Sequence, residues 1–391
     1  MAEKIKPNIF YVGAKDPDRR LFDELIPLPY GTTYNAYLIK GSDKTALIDT
    51  VDPAKRDVLF KHLDQLGVDR IDYVISNHAE QDHSGSIPHV LEKYPEAKVV
   101  TNEKCKGMLM DLLHIEEEKF LVVEDGSSLS LGDKTLEFMI APWVHWPETM
   151  FTYLKQDKIL FTCDYLGSHY SFDDLYVTDQ QLIYENAKRY YAEIMMPFAN
   201  LAKKHLDKVQ QLELDIIAPS HGQIYNHYDF ILEAYRDWTS DKVKNEVVLA
   251  YVSMHGSTKE MVDHFKGELE NRGITVKTFN LTGADIGELA MATVDAATIA
   301  LATPTVLAGP HPAAVYAAYL IKALRPKTRY LALFGSYGWG GKTKEIIADL
   351  VSTLKAEILE PVIIKGLPRE EDFNLLDNLA AEIKTKHDQL D

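Results

Sequence analysis

Apolar and polar residues alternate through the first half of the chain in short runs separated by turn residues. TTYNAYLI, KTALIDTV, DYVISNH, AKVVTN, KTLEFMIAP, MFTYLKQDKILFTCD and LDIIAPSH each carry the β-branched and aromatic content of a strand. Between them the apolar spacing lengthens to three and four at Ala54–Leu66 and Ile87–Tyr94, which predicts helices. Strands in two clusters with helices around them predict two packed sheets covered by helices. Residues 226–246 (NHYDFILEAYRDWTSDKVKNE) predict an amphipathic helix that runs out into a charged stretch, the expected end of a first domain spanning 1–246.

From residue 247 the pattern changes. VVLAYVS, ATIALATPT and YLALFGSYG are continuously apolar, as strands buried on both faces of a parallel sheet are. Helical patterns follow them at Lys259–Arg272, Pro312–Leu324 and Thr343–Leu354. This alternation predicts a doubly wound parallel sheet over 247–391. A length of 391 residues agrees with two domains.

Charge and composition narrow the function. The formal net charge of -17 argues against a nucleic-acid partner, which needs a basic footprint. No apolar run is long enough to span a bilayer, and the N-terminus lacks the apolar core of a signal peptide. The only two cysteines, Cys105 and Cys163, form no CxxC pair, which excludes a cysteine-ligated zinc or iron–sulfur site. A cytoplasmic protein is expected.

The candidate chemistry sits at strand ends. The predicted strand Asp72–Asn77 runs into HAEQDHSG, which places His78, Glu80, Asp82 and His83 within six residues. Packing does not explain four ligand types so close together, whereas a metal does. Three further ligand types share this setting: His145 in APWVHWPETM, Asp164 in ILFTCDYLGS and His221 in IAPSHGQ. The order resembles the metallo-β-lactamase superfamily and its HxHxDH motif, with Glu80 in place of the second histidine. Carboxylate there makes the site harder and more anionic, which suits iron or manganese better than zinc. In that frame HxExDH, continued by HWPETM, CDYLGS and PSHG, resembles the flavodiiron proteins.

The resemblance implies a metallo-β-lactamase-like αββα sandwich followed by a flavodoxin-like domain. It implies one iron on His78, Glu80 and His145, a second on Asp82, His83 and His221, and Asp164 shared between them. Tyr190 and Tyr191 fall where the family has aromatics near the irons, and Tyr191 is a candidate for the surrounding shell. His169 is a candidate proton donor or a surface residue. No site is expected at His62, His89, His114, His205, His227, His264 or His387.

A second set of residues follows the later strands. In SMHGST (Ser253, Met254, His255, Gly256, Ser257, Thr258), hydroxyls around a glycine precede a helix, a loop able to hold a terminal phosphate on backbone N–H groups. ATPTV contributes Thr303, Pro304 and Thr305. GSYGWGG contributes Ser336, Tyr337, Gly338, Trp339 and Gly340, with two aromatics able to stack on a flat ring. These loops resemble flavodoxin, and SMxGST with GxYGWGG resembles its flavodiiron form. FMN is implied, and the GxGxxG fingerprint of dinucleotide sites is missing.

The family resemblance implies reduction of dioxygen to water or of nitric oxide to nitrous oxide, with FMN feeding two irons. The chain ends at Asp391 without CxxC pairs, so a separate donor is expected: rubredoxin, or a reduced deazaflavin. A head-to-tail homodimer, or a dimer of dimers, is implied as well. Two other readings remain: a metallo-hydrolase with a flavodoxin-like passenger, and an electron carrier with a decayed metal site. Glu80 and the flavin loops oppose the first, and the seven filled ligand positions oppose the second.

Overall fold

The structure, a computed structural model, describes residues 1–390. Contacts divide it into two units, the first comprising Met1–Tyr191 and Phe198–Thr239, the second Ala192–Pro197 and the chain from Ser240 onward.

The first unit is built on two sheets. One has seven strands in the order Glu3–Lys6, Ile9–Tyr11, Tyr37–Lys40, Thr45–Ile48, Tyr73–Ile75, Lys98–Thr101 and Phe120–Val122. The other has five: Ser128–Ser130, Thr135–Ile140, Met150–Leu154, Ile159–Cys163 and Ile216–Pro219. Their facing side chains, among them Ile39, Ile75, Phe138 and Phe161, share one buried core, and full burial of each such side chain contributes about 1.5–3 kcal/mol. Helices Arg56–Gln65, Ile87–Lys93 and Glu103–Leu113 cover the outer face of the larger sheet through a second core that includes Leu59, Val90 and Leu109. Helices Gln180–Tyr190, Ala199–Val209 and Asp229–Trp238 pack with one another later in the chain. The order of layers is that of the expected αββα sandwich.

The apolar run TTYNAYLI is two strands rather than one. Thr32–Tyr34 pairs with Ala14–Asp16, whereas Tyr37–Lys40 joins the large sheet. The break falls at Asn35, whose buried amide leaves the ladder and donates to Pro219 O and Gly222 O, both at 2.8 Å. A side chain that satisfies a distant loop has thus overridden local strand periodicity.

The second unit is a sheet in the order Thr275–Asn280, Lys244–Tyr251, Ala296–Ala302 and Tyr330–Tyr337, and both Glu357–Ile358 and Val362–Lys365 pair with the last of these. All pairings are parallel, and the order 2-1-3-4-5 is the flavodoxin one. Helices Ser257–Asn271 and Glu370–His387 cover one face, and Ile286–Thr293, Pro312–Leu324 and Thr343–Val351 the other. The helix expected over 226–246 is confined to Asp229–Trp238, and the next strand already begins at Lys244. Val247 is therefore the fourth residue of that strand, and the division by contacts falls between Thr239 and Ser240.

Candidate metal centre and flavin loops

Parallel pairing collects the ligand-type residues at one edge of the first unit. Ile159–Cys163 and Ile216–Pro219 run side by side in the same direction, so Asp164 and His221 leave the sheet at the same end. Tyr73–Ile75 delivers His78, and the turn between Thr135–Ile140 and Met150–Leu154 carries His145. All seven predicted residues converge.

They form two groups that meet at Asp164. In one, Glu80 Oε2 lies 3.1 Å from His78 Nε2 and 3.2 Å from His145 Nε2. Asp164 Oδ2 faces the same two nitrogens at 3.5 and 3.6 Å. In the other, Asp82 lies 3.3 Å from His83 Nε2 and 3.2 Å from His221 Nε2. Asp164 Oδ1 faces that pair at 3.0 and 3.4 Å. One carboxylate thus presents a separate oxygen to each group.

These separations suit ligands around a metal. With metal–ligand bonds of about 2.0–2.2 Å, neighbouring donor atoms stand about 3 Å apart. Both oxygens of Asp164, Asp82 Oδ1 and both ring nitrogens of His83 are buried without a hydrogen-bond partner. Buried polar atoms left in this way carry a desolvation penalty that a cation removes. The four imidazoles and three carboxylates therefore fit a pair of metal ions.

Electrostatics keep Asp164 charged. Burial opposes ionisation of Asp164, but His83, His78 and His221 outweigh it and hold the group well below the usual carboxylate range. Burial likewise opposes charge on His83, while Asp82 and Asp164 raise its pKa to about 10.

The surroundings hold the ligands in place. His221 Nδ1 donates to Thr33 O at 2.5 Å. Thr50 Oγ1 donates to His83 O at 2.5 Å, and Asp49 accepts from both the backbone and side-chain amides of Asn77, at 2.8 and 2.9 Å. Gly222, with φ +80°, lets the loop after His221 pass close to Ser168, since a Cβ there would stand 2.2 Å from Ser168 Oγ.

Sequence reasoning missed Glu148. It lies in the HWPETM stretch and is fully buried, and its Oε1 meets His78 Nδ1 at 2.6 Å and the Ala79 amide at 3.0 Å. An acidic residue three positions after a ligand histidine was the available signal.

The two tyrosines separate. Tyr190 stands beside the centre, its ring 4.7 Å from His169 and 5.9 Å from His221. Tyr191 does not: its hydroxyl donates to Trp238 O at 3.2 Å and its ring packs on Tyr235 and Trp238. Successive helix residues point about 100° apart, so only one of them can face the site. His169 is buried rather than on the surface, with Nδ1 2.9 Å from Thr32 Oγ1 and its ring 5.0 Å from His221. A cavity of about 180 Å³, walled by Leu21, Phe22 and Leu28 together with Arg19, Asp23 and Asp52, opens onto Glu80, Asp82, His169 and His221.

In the second unit the three candidate flavin loops emerge at the carboxyl ends of adjacent strands. Gly256, with φ +95°, precedes helix Ser257–Asn271 without a side-chain cap, which leaves that helix start suited to an anion. The amide of Lys259 donates to Ser253 Oγ at 3.2 Å. Met254, His255, Gly338, Trp339 and Gly340 are exposed at this edge, and Trp339 is 72% exposed.

Other predicted residues lie beneath them. Thr258 and Ser336 are buried with their hydroxyls 3.4 Å apart. Thr303 Oγ1 donates to Pro304 O and accepts from the amide of His311, and Thr305 meets Thr343 at 2.8 Å. Ser336 and Tyr337 end the strand Tyr330–Tyr337 rather than sitting in the loop. Gly335 allows that strand to approach its neighbour, since a Cβ would stand 1.9 Å from Thr303 O.

Comparison with known proteins agrees with both halves. A family model described as ODP family beta lactamase matches residues 32–222. Nitric oxide reductase of Moorella thermoacetica is 35% identical, with 98% of each chain covered. Flavo-diiron protein FprA2 of Clostridium acetobutylicum is 33% identical over 95% of this chain and 96% of its own. The chain belongs to the flavodiiron protein family. Another relative, coenzyme F420H(2) oxidase of Methanothermobacter marburgensis, is 34% identical over 98% of this chain and 99% of its own. Among solved structures, the rubredoxin oxygen:oxidoreductase of Desulfovibrio gigas superposes with a TM-score of 0.96 at 28% identity, 99% of each chain being covered. The flavodiiron protein of Giardia intestinalis gives 0.92 at 26% identity, covering 99% of this chain and 97% of that one.

Proposed function

We propose that this flavodiiron protein reduces dioxygen to water, nitric oxide to nitrous oxide, or both, with electrons passing from an external donor through FMN to two irons. The observation that carries the reading is Asp164, one buried carboxylate with an oxygen turned to each ligand group. We assign one iron to His78, Glu80 and His145, the other to Asp82, His83 and His221, and the bridge to Asp164. The FMN phosphate is assigned to the Ser253–Thr258 loop and its ring to the edge carrying Tyr337 and Trp339. The two tasks divide between the first and second units, with the exchange in the polar stretch 239–246.

When bound, the irons supply electrons and open coordination positions, and FMN delivers electrons to them. The chain's own residues do the rest. Leu21, Phe22 and Leu28 supply the apolar part of a cavity wall that also carries Arg19, Asp23 and Asp52. Reduction consumes protons, four for dioxygen to two waters, or two for a pair of nitric oxides to nitrous oxide and water. His169 and Tyr190, adjacent to each other and buried beside His221, are the groups assigned to hand protons inward. Burial together with His221 holds His169 well below its ordinary pKa, so at neutral pH it is a neutral ring.

The relatives' names supply two donor classes, rubredoxin and reduced F420. No described helix is long and apolar enough to cross a membrane, and we place the protein in the cytoplasm as a head-to-tail dimer or dimer of dimers. A metallo-hydrolase is disfavoured by Glu80 and by the second unit. Metal and flavin analysis should find about two irons and one FMN per chain, with turnover of one or both gases on a reduced donor. A zinc-loaded, flavin-free protein with hydrolase activity would overturn the reading.

A further inference from the structure

Glu148 is the acidic group that the ligand set does not use. Its side chain is fully buried, Oε1 takes both of its hydrogen bonds, from His78 Nδ1 and the Ala79 amide, and Oε2 has no partner. Its position is built: Asn102 caps helix Glu103–Leu113 by accepting from Cys105 N at 3.0 Å, and its amide donates to Glu148 O at 2.6 Å. The other ligand histidines are held differently. His221 Nδ1 donates to a neutral carbonyl, Thr33 O, and His83 Nδ1 has no partner. Among the described residues, His78 is the one ligand imidazole whose Nδ1 faces a carboxylate.

A buried carboxylate with a vacant oxygen is stable only beside positive charge. Two ferrous ions carry four positive charges, and the three ligand carboxylates Glu80, Asp82 and Asp164 answer three of them. Asp49, also buried, spends its two oxygens on the backbone and side-chain amides of Asn77. Glu148 is the one of the two that hydrogen-bonds a ligand imidazole directly, so it applies its charge through one ligand. An imidazole whose distal N–H is donated to carboxylate becomes a stronger electron donor to its metal.

Resting on the di-iron reading above, we propose that Glu148 is a positioning residue that adds negative charge behind one ligand of the centre and makes its two irons unequal. It locks His78 in the tautomer that offers Nε2 and raises its donor strength. An iron held on His78, Glu80 and His145 would thereby be the more easily oxidised of the two.

The test uses the iron- and FMN-loaded full-length protein with Glu148→Gln, which keeps the side chain's shape and an acceptor oxygen but removes the charge. Two quantities are measured: the reduction potentials of the di-iron centre, followed by Mössbauer and EPR spectroscopy, and the iron affinity in chelator competition. The potentials should rise, the two Mössbauer environments should become more alike, and the affinity should fall about ten- to a hundredfold. Glu148→Asp, which keeps the charge but withdraws it from Nδ1, should fall between the two and serves alone if the glutamine variant does not fold. Wild-type potentials and wild-type affinity in either variant would overturn the proposal and leave the di-iron reading standing. A wild-type protein that holds no pair of irons would overturn the reading itself.

Discussion

Glu80 carries more information than any other residue in the first domain, because it stands where a hydrolase of the same superfamily keeps a histidine. Its Oε2 touches both imidazoles of its group, at 3.1 and 3.2 Å, so replacing it changes charge and softness at the metal without disturbing the fold around it. Glu80→His should therefore shift loading from iron toward zinc and abolish gas reduction while the FMN stays bound; metal analysis after growth in mixed metals, with gas-uptake assays, checks both. Full oxidase activity in that variant would show that the carboxylate is not the discriminator. The seven candidate ligands were legible as ligand-type residues clustered in segments that follow strands, and the structure brings them together. Glu148 and the choice between Tyr190 and Tyr191 were not. Glu148 reaches His78 across 70 positions of sequence, and the tyrosines differ only in which way the last turn of a helix points.

Among elements, the β-branched runs do form strands, but TTYNAYLI and MFTYLKQDKILFTCD each hold two rather than one, and the polar and short strands were invisible. Glu3–Lys6 and Ser128–Ser130 are edge strands with little buried surface, so no apolar pattern marks them. The terminal helix Glu370–His387 carries a testable consequence. His387 is buried, with Nε2 2.7 Å from Thr298 Oγ1 and Nδ1 2.8 Å from Asn245 Oδ1. Burial lowers its pKa from 6.5 to about 4. Between those values the unfolded chain binds a proton that the folded one does not, so stability rises with pH there. The contribution is complete above pH 6.5, is lost as pH falls toward 4, and is flat below. Allowing for partial hydration, the loss should be about 2 kcal/mol. Thermal unfolding of wild type and His387→Asn across that window should differ in slope; parallel curves would refute the assignment.

For the whole molecule, the prediction concerns assembly. A short polar stretch joins helix Asp229–Trp238 to the strand that begins at Lys244. A head-to-tail dimer would let the FMN of one chain serve the irons of its partner, and two-fold dimers are the commonest oligomers. Co-expression tests this with an iron-site variant, His78→Ala with Asp164→Ala, and a flavin-site variant, Ser257→Asp with Trp339→Ala. Ser257 is chosen because Thr258 is buried against Ser336. Each variant should be inactive alone, and mixed dimers should recover one working pair of centres. Mixed dimers that form and stay inactive would place electron transfer within one chain. The sequence by itself determined the αββα and flavodoxin-like classes and singled out the seven ligand-type residues that converge in the structure. It could do so because strand periodicity, strand-end placement and motif spacing are local properties of the chain. Only the tertiary structure decided that Asp164 turns one oxygen to each ligand group, that Tyr190 rather than Tyr191 stands at the centre, that Asn35 breaks a strand to hold the His221 loop, and that Glu148 backs His78. Each of these depends on the direction of a side chain toward a partner far away in sequence, and direction is set by packing rather than by pattern.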